Sequence, residues 1–324
     1  MRRREFILAL GGAAVWPLAA RAQQPMPVVG YLNSGAPEPR ARLVSAFREG
    51  LSQAGYVEGR NVAIEYRWGE GRPERLPELA AELVRRRVAV IVAVGGSTPA
   101  QAAKQSTTTI PIVFVSGDDA IAAGLVSSLG QPGGNVTGIS WLASSLEAKR
   151  IGLLRELVRD GDVGVLIDPS FPSAKVHTRD AQEAARELGI RIEVLNASSA
   201  RDLETIFASL GPQRLGSLVV NPSPMFYSLH EQIVALAARH AVPAIYYVRD
   251  YAVAGGLMSY GTSVLEASRQ GGVYAGRVLS GEKPADMPVL QPTKFEFVIN
   301  LKTAKALGLD IPPTFLSLAD EVIE

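Results

Sequence analysis

The sequence predicts an α/β protein of two lobes, and three observations lead to that class. Short apolar runs of strand character alternate with segments of helical period along nearly the whole chain. The alternation restarts near residue 146, which gives two units of similar length. At 324 residues, with 47% hydrophobic and 20% charged positions, the chain is long enough to bury two cores.

The first unit opens on a strand at Pro27 to Leu32 and a helix at Arg40 to Ala54, with Val44, Phe47, Leu51 and Ala54 on one face. Asn61 to Trp68 alternates, placing Val62, Ile64, Tyr66 and Trp68 on one side. A helix over Pro73 to Arg87 comes next, then the apolar strand Val88 to Val94, a helix from Thr98, the strand Ile110 to Val115, a helix near Ala120 to Leu129, and a short strand in NVTGIS. The second unit reads helix Leu146 to Arg159, strand Val163 to Ile167, helix Ser173 to Leu188 and strand Arg191 to Leu195. It continues with helix Leu203 to Leu210, strand Leu215 to Val220, helix Leu229 to His240 and strand Ala244 to Val248. GGLMSYG leads into a helix at Val264 to Leu279, and a Pro-rich connector precedes the strand FEFVIN and the helix KTAKALG.

The N-terminus carries an arginine cluster, a moderately apolar run broken by Pro17, and Ala20-Arg21-Ala22 as an A-x-A-like cleavage site, so residues 1–22 read as an export signal. Arg3-Arg4 followed by a weakly hydrophobic, Gly-containing run resembles a twin-arginine signal. Its removal takes away four Arg and one Glu, so the formal net charge falls from +1 to −2 and no basic surplus favours nucleic acid or acidic lipid. With no cysteine there is neither a disulfide framework nor a thiol to lipidate. The expectation is a soluble periplasmic protein, monomeric and not a lipoprotein.

In open α/β sheets ligands gather beyond the carboxyl ends of the strands, so the residues just past each strand make up the expected site. The first unit offers Ser34, the turn Gly95-Gly96-Ser97-Thr98, Ser116 with Asp118-Asp119, and Ser140 closing NVTGIS. The second offers Asp168, Asn221 and Tyr246-Tyr247. GGSTPA fits neither G-x-x-x-x-G-K-[ST] nor G-x-G-x-x-G, which argues against a nucleotide. A helix start presents free N–H groups and partial positive charge, so Ser97 and Thr98 suit a small carboxylate, with Asp119 as counterpart to an ammonium group. Equally, Ser97 can simply cap its helix, with Pro99 in the first turn. Asn221 and Tyr246 are the expected second-unit contacts; Tyr246, Phe226 and Phe171 can stack on an aromatic ligand or serve as ordinary packing. The full candidate set is Ser34, Gly96, Ser97, Thr98, Ser116, Asp119, Ser140, Asp168, Asn221 and Tyr246.

An enzyme is not expected. His177, His230 and His240 are the only histidines, none at a metal-ligand spacing, and no G-x-S-x-G elbow is present. Asp118 and Asp119 are sequence neighbours that point apart, which is no catalytic dyad. No cofactor or metal is implied.

GLVSSLGQPGGNVTGIS, AGGLMSYG and the tail KPADMPVLQPTKFEFVINLKTAKALGLDIPPTFLSLADEVIE resemble the periplasmic substrate-binding proteins of the ABC-transporter family often labelled by its tryptophan or tyrosine transport members. The similarity covers essentially all of the chain after the signal. It implies a type I periplasmic binding protein fold: two doubly wound parallel-sheet lobes joined by a three-crossover hinge, closing on a ligand. Lobe one would be residues 26–139 and 257–281, and lobe two residues 140–256 and 282–324. The implied function is capture of an amino acid or other small carboxylate for a membrane permease and its cytoplasmic ATPase; a sensor that signals to a membrane receptor would use the same closure. One departure is Asp119-Ala120-Ile121, where the family pattern has Asp-Pro-Val.

Overall fold

The computed structural model describes residues 26–141, 146–210 and 215–324; the expected export signal lies outside them. Lobe one contains β1 (Val28–Asn33), α1 (Ala41–Gln53), β2 (Ala63–Trp68), α2 (Leu76–Arg85), β3 (Val90–Val94), α3 (Ser97–Ser106), β4 (Ile112–Ser116) and β5 (Val136–Ser140). In lobe two the chain forms α4 (Glu147–Leu157), β6 (Asp162–Ile167), α5 (Ala174–Leu188), β7 (Ile192–Asn196), α6 (Ala200–Ser209) and β8 (Leu215–Val220). Next are α7 (Pro224–Ser228), α8 (His230–Arg239), β9 (Ala244–Tyr246), α9 (Arg249–Val253) and β10 (Met258–Thr262). The helix α10 (Val264–Leu279) returns to lobe one, and β11 (Phe295–Asn300), α11 (Leu301–Ala306), α12 (Pro313–Leu318) and β12 (Glu321–Ile323) finish in lobe two.

The first sheet runs β2-β1-β3-β4-β5 with every pair parallel. The second runs β12-β11-β10-β9-β8-β6-β7, parallel except where β10 meets β11. Helices cover both faces of each sheet, as the apolar runs of β3 and β4 require: Val90 to Val94 and Ile112 to Val115 are buried throughout. Each such Val or Ile contributes roughly 1.5–3 kcal/mol by leaving water. The two lobes are the doubly wound pair expected from the sequence.

Where the chain changes lobe differs from the expected boundaries. Residues 258–262 lie in the second sheet, between β9 and β11, so the return to lobe one falls at Ser263 rather than at 257. Residues 284–290 stay on lobe one: Thr137 Oγ1 donates to Met287 O at 2.7 Å, Val289 N to Leu129 O at 2.7 Å, and Leu290 bridges Ile139. The last crossing therefore comes after Leu290. α10 is fixed to lobe one through α1, where a Cβ on Gly50 would come within 1.8 Å of Arg269 O and one on Gly272 within 2.0 Å of Phe47 O. These two glycines let the helix backbones touch.

The helix expected at Ala120 to Leu129 is absent. Asp119 Oδ1 accepts from Ile121 N at 2.8 Å and Ala122 N at 3.1 Å, starting a turn that Gly124 ends at φ 68°. Lys104 Nζ then binds the carbonyls of Gly124 and Leu125, at 2.6 and 3.1 Å, so that the single turn is tied to α3. The elements α7, α9, α12 and β12 have no counterpart among those the sequence predicts; they are only three to six residues long, too short for a periodicity to show.

Candidate ligand-binding cleft

The carboxyl ends of β1, β3 and β4 face those of β6, β8 and β9 across a cavity of about 60 Å³. Lobe one lines it with Arg40, Gly96, Asp118 and Trp141, and lobe two with Phe171, His177, Tyr227 and Tyr247. The lobes touch here: a Cβ on Gly96 would lie 2.9 Å from the Phe171 ring, and Ser173 Oγ of lobe two donates to Asp118 Oδ1 of lobe one.

The turn between β3 and α3 does seat an anion, and the anion belongs to the protein. Asp118 Oδ2 accepts from Ser97 N at 2.6 Å, at the positive end of α3, and from Ser116 Oγ at 3.2 Å. Ser116 Oγ in turn accepts from Asp118 N at 3.1 Å, and Ser140 Oγ donates to Asp118 O at 2.9 Å. Two of the expected ligand residues, Ser97 and Ser116, thus converge on one carboxylate, and a third, Ser140, holds the backbone that carries it. Gly96 is the N-cap at φ 99° and ψ −178°, a conformation that only glycine adopts without strain. The Ser97 N–H, expected to meet a ligand carboxylate, meets that of Asp118 in this structure. Thr98 is half-buried in the first turn of α3, and Ser34 Oγ donates to Gly95 O at 2.6 Å, joining the loops after β1 and β3.

Two expected residues point away from the cleft and their sequence neighbours replace them. Asp119 is exposed and occupied with the turn it caps, whereas Asp118 is buried and lines the cavity. Tyr246 is fully buried inside lobe two, stacked on Tyr251 with ring centroids 4.6 Å apart, whereas Tyr247 lines the cavity. Phe226 is likewise core, and Phe171 is the ring that faces lobe one. Asp168 and Asn221 are structural in this arrangement. Asp168 accepts from Ser223 Oγ at 2.6 Å and from Ser170 N at 3.0 Å, tying the loops after β8 and β6; Asn221 Nδ2 donates to Glu147 Oε1 at 3.0 Å, beside the buried Glu147–Arg150 ion pair.

Arg40 and His177 were not in the expected set. Arg40 comes after β1 in a short 3-10 turn and is only 3% exposed. Its Nη2 donates to Pro224 O of lobe two at 3.1 Å, its Cζ lies 5.2 Å from the Tyr227 ring centroid, and its Nε has no partner among the described residues. No carboxylate of the described residues forms an ion pair with it, and burial pulls its pKa down from the ordinary arginine range. His177, on the first turn of α5, is 3% exposed, and its Nδ1 has no partner among the described residues; burial lowers its pKa, against the opposing pull of Glu147, Asp118 and Asp180. Pro37 before the turn and Glu38-Pro39 within it were the only sequence signals that Arg40 begins outside the helix, and none concerned burial.

Among the described residues the cleft therefore combines one buried cation without an anionic partner, one organised carboxylate and the rings of Trp141, Phe171, Tyr227 and Tyr247. That set can clamp a small zwitterion or anion carrying an apolar ring. Among the described residues no group of three or more His, Asp or Glu is placed to hold a metal ion, and no helix is long and apolar enough to cross a membrane.

Comparison with known proteins agrees with the two-lobed architecture. A curated relative, a tyrosine-binding protein of Clostridioides difficile, is 27% identical over 265 residues, 81% of this chain and 75% of its own. A conserved domain protein from Vibrio cholerae superimposes with a TM-score of 0.84 at 25% identity, covering 92% of this chain and 99% of the other. An ABC domain from Streptococcus pneumonia, solved in complex with L-Trp, superimposes with a TM-score of 0.81 at 24% identity over the same shares. The family model for ABC transporter substrate binding protein matches residues 38–323. The chain belongs to the ABC transporter substrate binding protein family, a family of binding proteins and not of enzymes.

Proposed function

We propose that this protein captures an amino acid with an aromatic or comparably flat apolar side chain between its two lobes and delivers it to the permease of an ABC import system. The observation that carries the reading is Arg40: a guanidinium almost wholly out of water, facing the cavity, with no carboxylate paired to it among the described residues. A buried cation is costly unless an anion meets it, and a ligand carboxylate supplies one. Asp118 takes the ammonium group, with its remaining lone pairs aimed by Ser97, Ser116 and Ser173. Phe171, Trp141, Tyr227 and Tyr247 enclose the side chain. The tyrosine-binding relative and the L-Trp complex support this ligand class.

Capture works by differential affinity: the ligand bridges both lobes only when they are together, so it draws the population to the closed form, whose outer surface the permease reads. In this reading residues 1–22 direct export and are removed, and the mature monomer works in the periplasm.

The test is a thermal-shift panel on protein unfolded and refolded to strip bound ligand. A ligand at about 100 times its Kd raises stability by about 2.7 kcal/mol. Selective stabilisation by L-tyrosine or L-tryptophan is expected; a panel of amino acids in which none shifts the melting point contradicts the ligand class.

A further inference from the structure

Behind Arg40 a short chain of side chains passes from one lobe to the other and back. The Tyr227 ring, on α7 of lobe two, lies beneath the guanidinium. Its hydroxyl donates to Asp250 Oδ2 of α9 at 2.5 Å. The other oxygen of Asp250 meets Arg42 Nη1, on α1 of lobe one, at 3.5 Å. Burial together with the adjacent carboxylate pushes the Tyr227 phenol far up, so it stays protonated and keeps donating. The phenol has one rotatable proton, and giving it to Asp250 fixes the ring's edge while leaving its face to the cation. Asp250 itself does not line the cavity.

We propose that Asp250 is a positioning residue for anion recognition: by holding Tyr227 it fixes the platform on which Arg40 is presented to the ligand. Arg40 and Arg42 come from lobe one, Tyr227 and Asp250 from lobe two, so the platform and its cation meet only when the lobes are together. The carboxylate site is thereby assembled by closure. A guanidinium held in place loses less freedom on binding than one on a free four-bond stem, which is why positioning raises affinity. This inference rests on Arg40 being the anchor for the ligand's carboxylate.

Calorimetric titration of the ligand-stripped protein with L-tyrosine and with L-tyrosine amide reads the role directly, because a merely structural defect weakens both ligands alike. Wild type is expected to prefer the free acid. Asp250→Asn and Tyr227→Phe are expected to reduce that preference by about three- to thirtyfold, with little change for the amide. If Arg40→Ala loses the preference while both other variants retain it, the positioning role is wrong and the anchor stands; if Arg40→Ala retains it, both fail. X-ray scattering during titration with L-tyrosine tests the cross-lobe links with Arg42, an exposed residue that folding tolerates. Arg42→Gln and Asp250→Asn are expected to raise the L-tyrosine concentration at which the radius of gyration contracts, and midpoints equal to wild type overturn the inference.

Discussion

Arg40 and Asp118 carry opposite charges into the same cavity, and their partners differ in kind. Asp118 is satisfied by a helix N-terminus and serine hydroxyls, whereas Arg40 has a carbonyl, a ring face and an unpaired Nε. Removing the cation should cost the ligand about 2–5 kcal/mol, at least about tenfold in Kd, so calorimetry on Arg40→Ala is expected to show that loss. Asp119→Ala should leave Kd unchanged and lower only the melting point, since what it loses is a turn cap of about 0.5–2 kcal/mol. His177 gives the pH dependence. Its pKa in the folded protein lies below the ordinary 6.5, so the unfolded chain binds the proton first as pH falls. Stability from this group is complete above 6.5 and declines on acidification toward the folded value; melting curves between pH 7.5 and 5 should show the decline, and His177→Gln should remove that component. At this scale the sequence was least legible. The strand-end rule leads to the loops that line the cavity, yet the residues it singles out, Asp119 and Tyr246, lie off the cavity, and their neighbours Asp118 and Tyr247 line it. Neighbouring residues of a strand end point to opposite sides, and which side faces the other lobe is set by tertiary packing.

The elements that build the cleft are turns more than helices or strands. Gly96 joins β3 to α3 in a conformation closed to other residues, against the Phe171 ring. Gly96→Ala should lose about 1–3 kcal/mol from backbone strain alone and should weaken ligand binding as Phe171 is pushed away, both measurable on one preparation. On α4, Glu147 and Arg150 form an ion pair at 2.9 Å with side chains 1% and 0% exposed. Arg150→Met strands the carboxylate and is expected to cost about 3–5 kcal/mol in chemical denaturation, with the double variant Glu147→Gln, Arg150→Met recovering part of it. Long elements were legible because their periods are: α10 and β11 fall on the residues their patterns mark out, and β8 likewise. The turn at 120–124 was not, since an apolar Ala-rich run looks helical until Asp119 and Gly124 are seen to begin and end it within one turn.

At the scale of the whole molecule, two sheets whose strand ends face each other make a binding surface that neither lobe has alone. The order of strands puts the expected site at that junction, and the family similarity implies the three crossings; the second falls later than expected because β10 pairs in the second sheet, and the last lies at the far end of the Pro-rich connector because residues 287–290 remain against lobe one. Alternation of strand and helix states that lobes exist; it does not state which sheet a border strand joins, because that depends on pairing across distant sequence. In the proposed mechanism an amino acid closes this cleft through Arg40. Calorimetric titration of stripped wild-type and Arg40→Ala proteins with L-tyrosine and L-tryptophan tests it most directly. Saturable binding of at least one of them by wild type, weakened tenfold or more in the variant, is the predicted result; equal affinity in the two proteins, or no binding of either amino acid by wild type, contradicts the account.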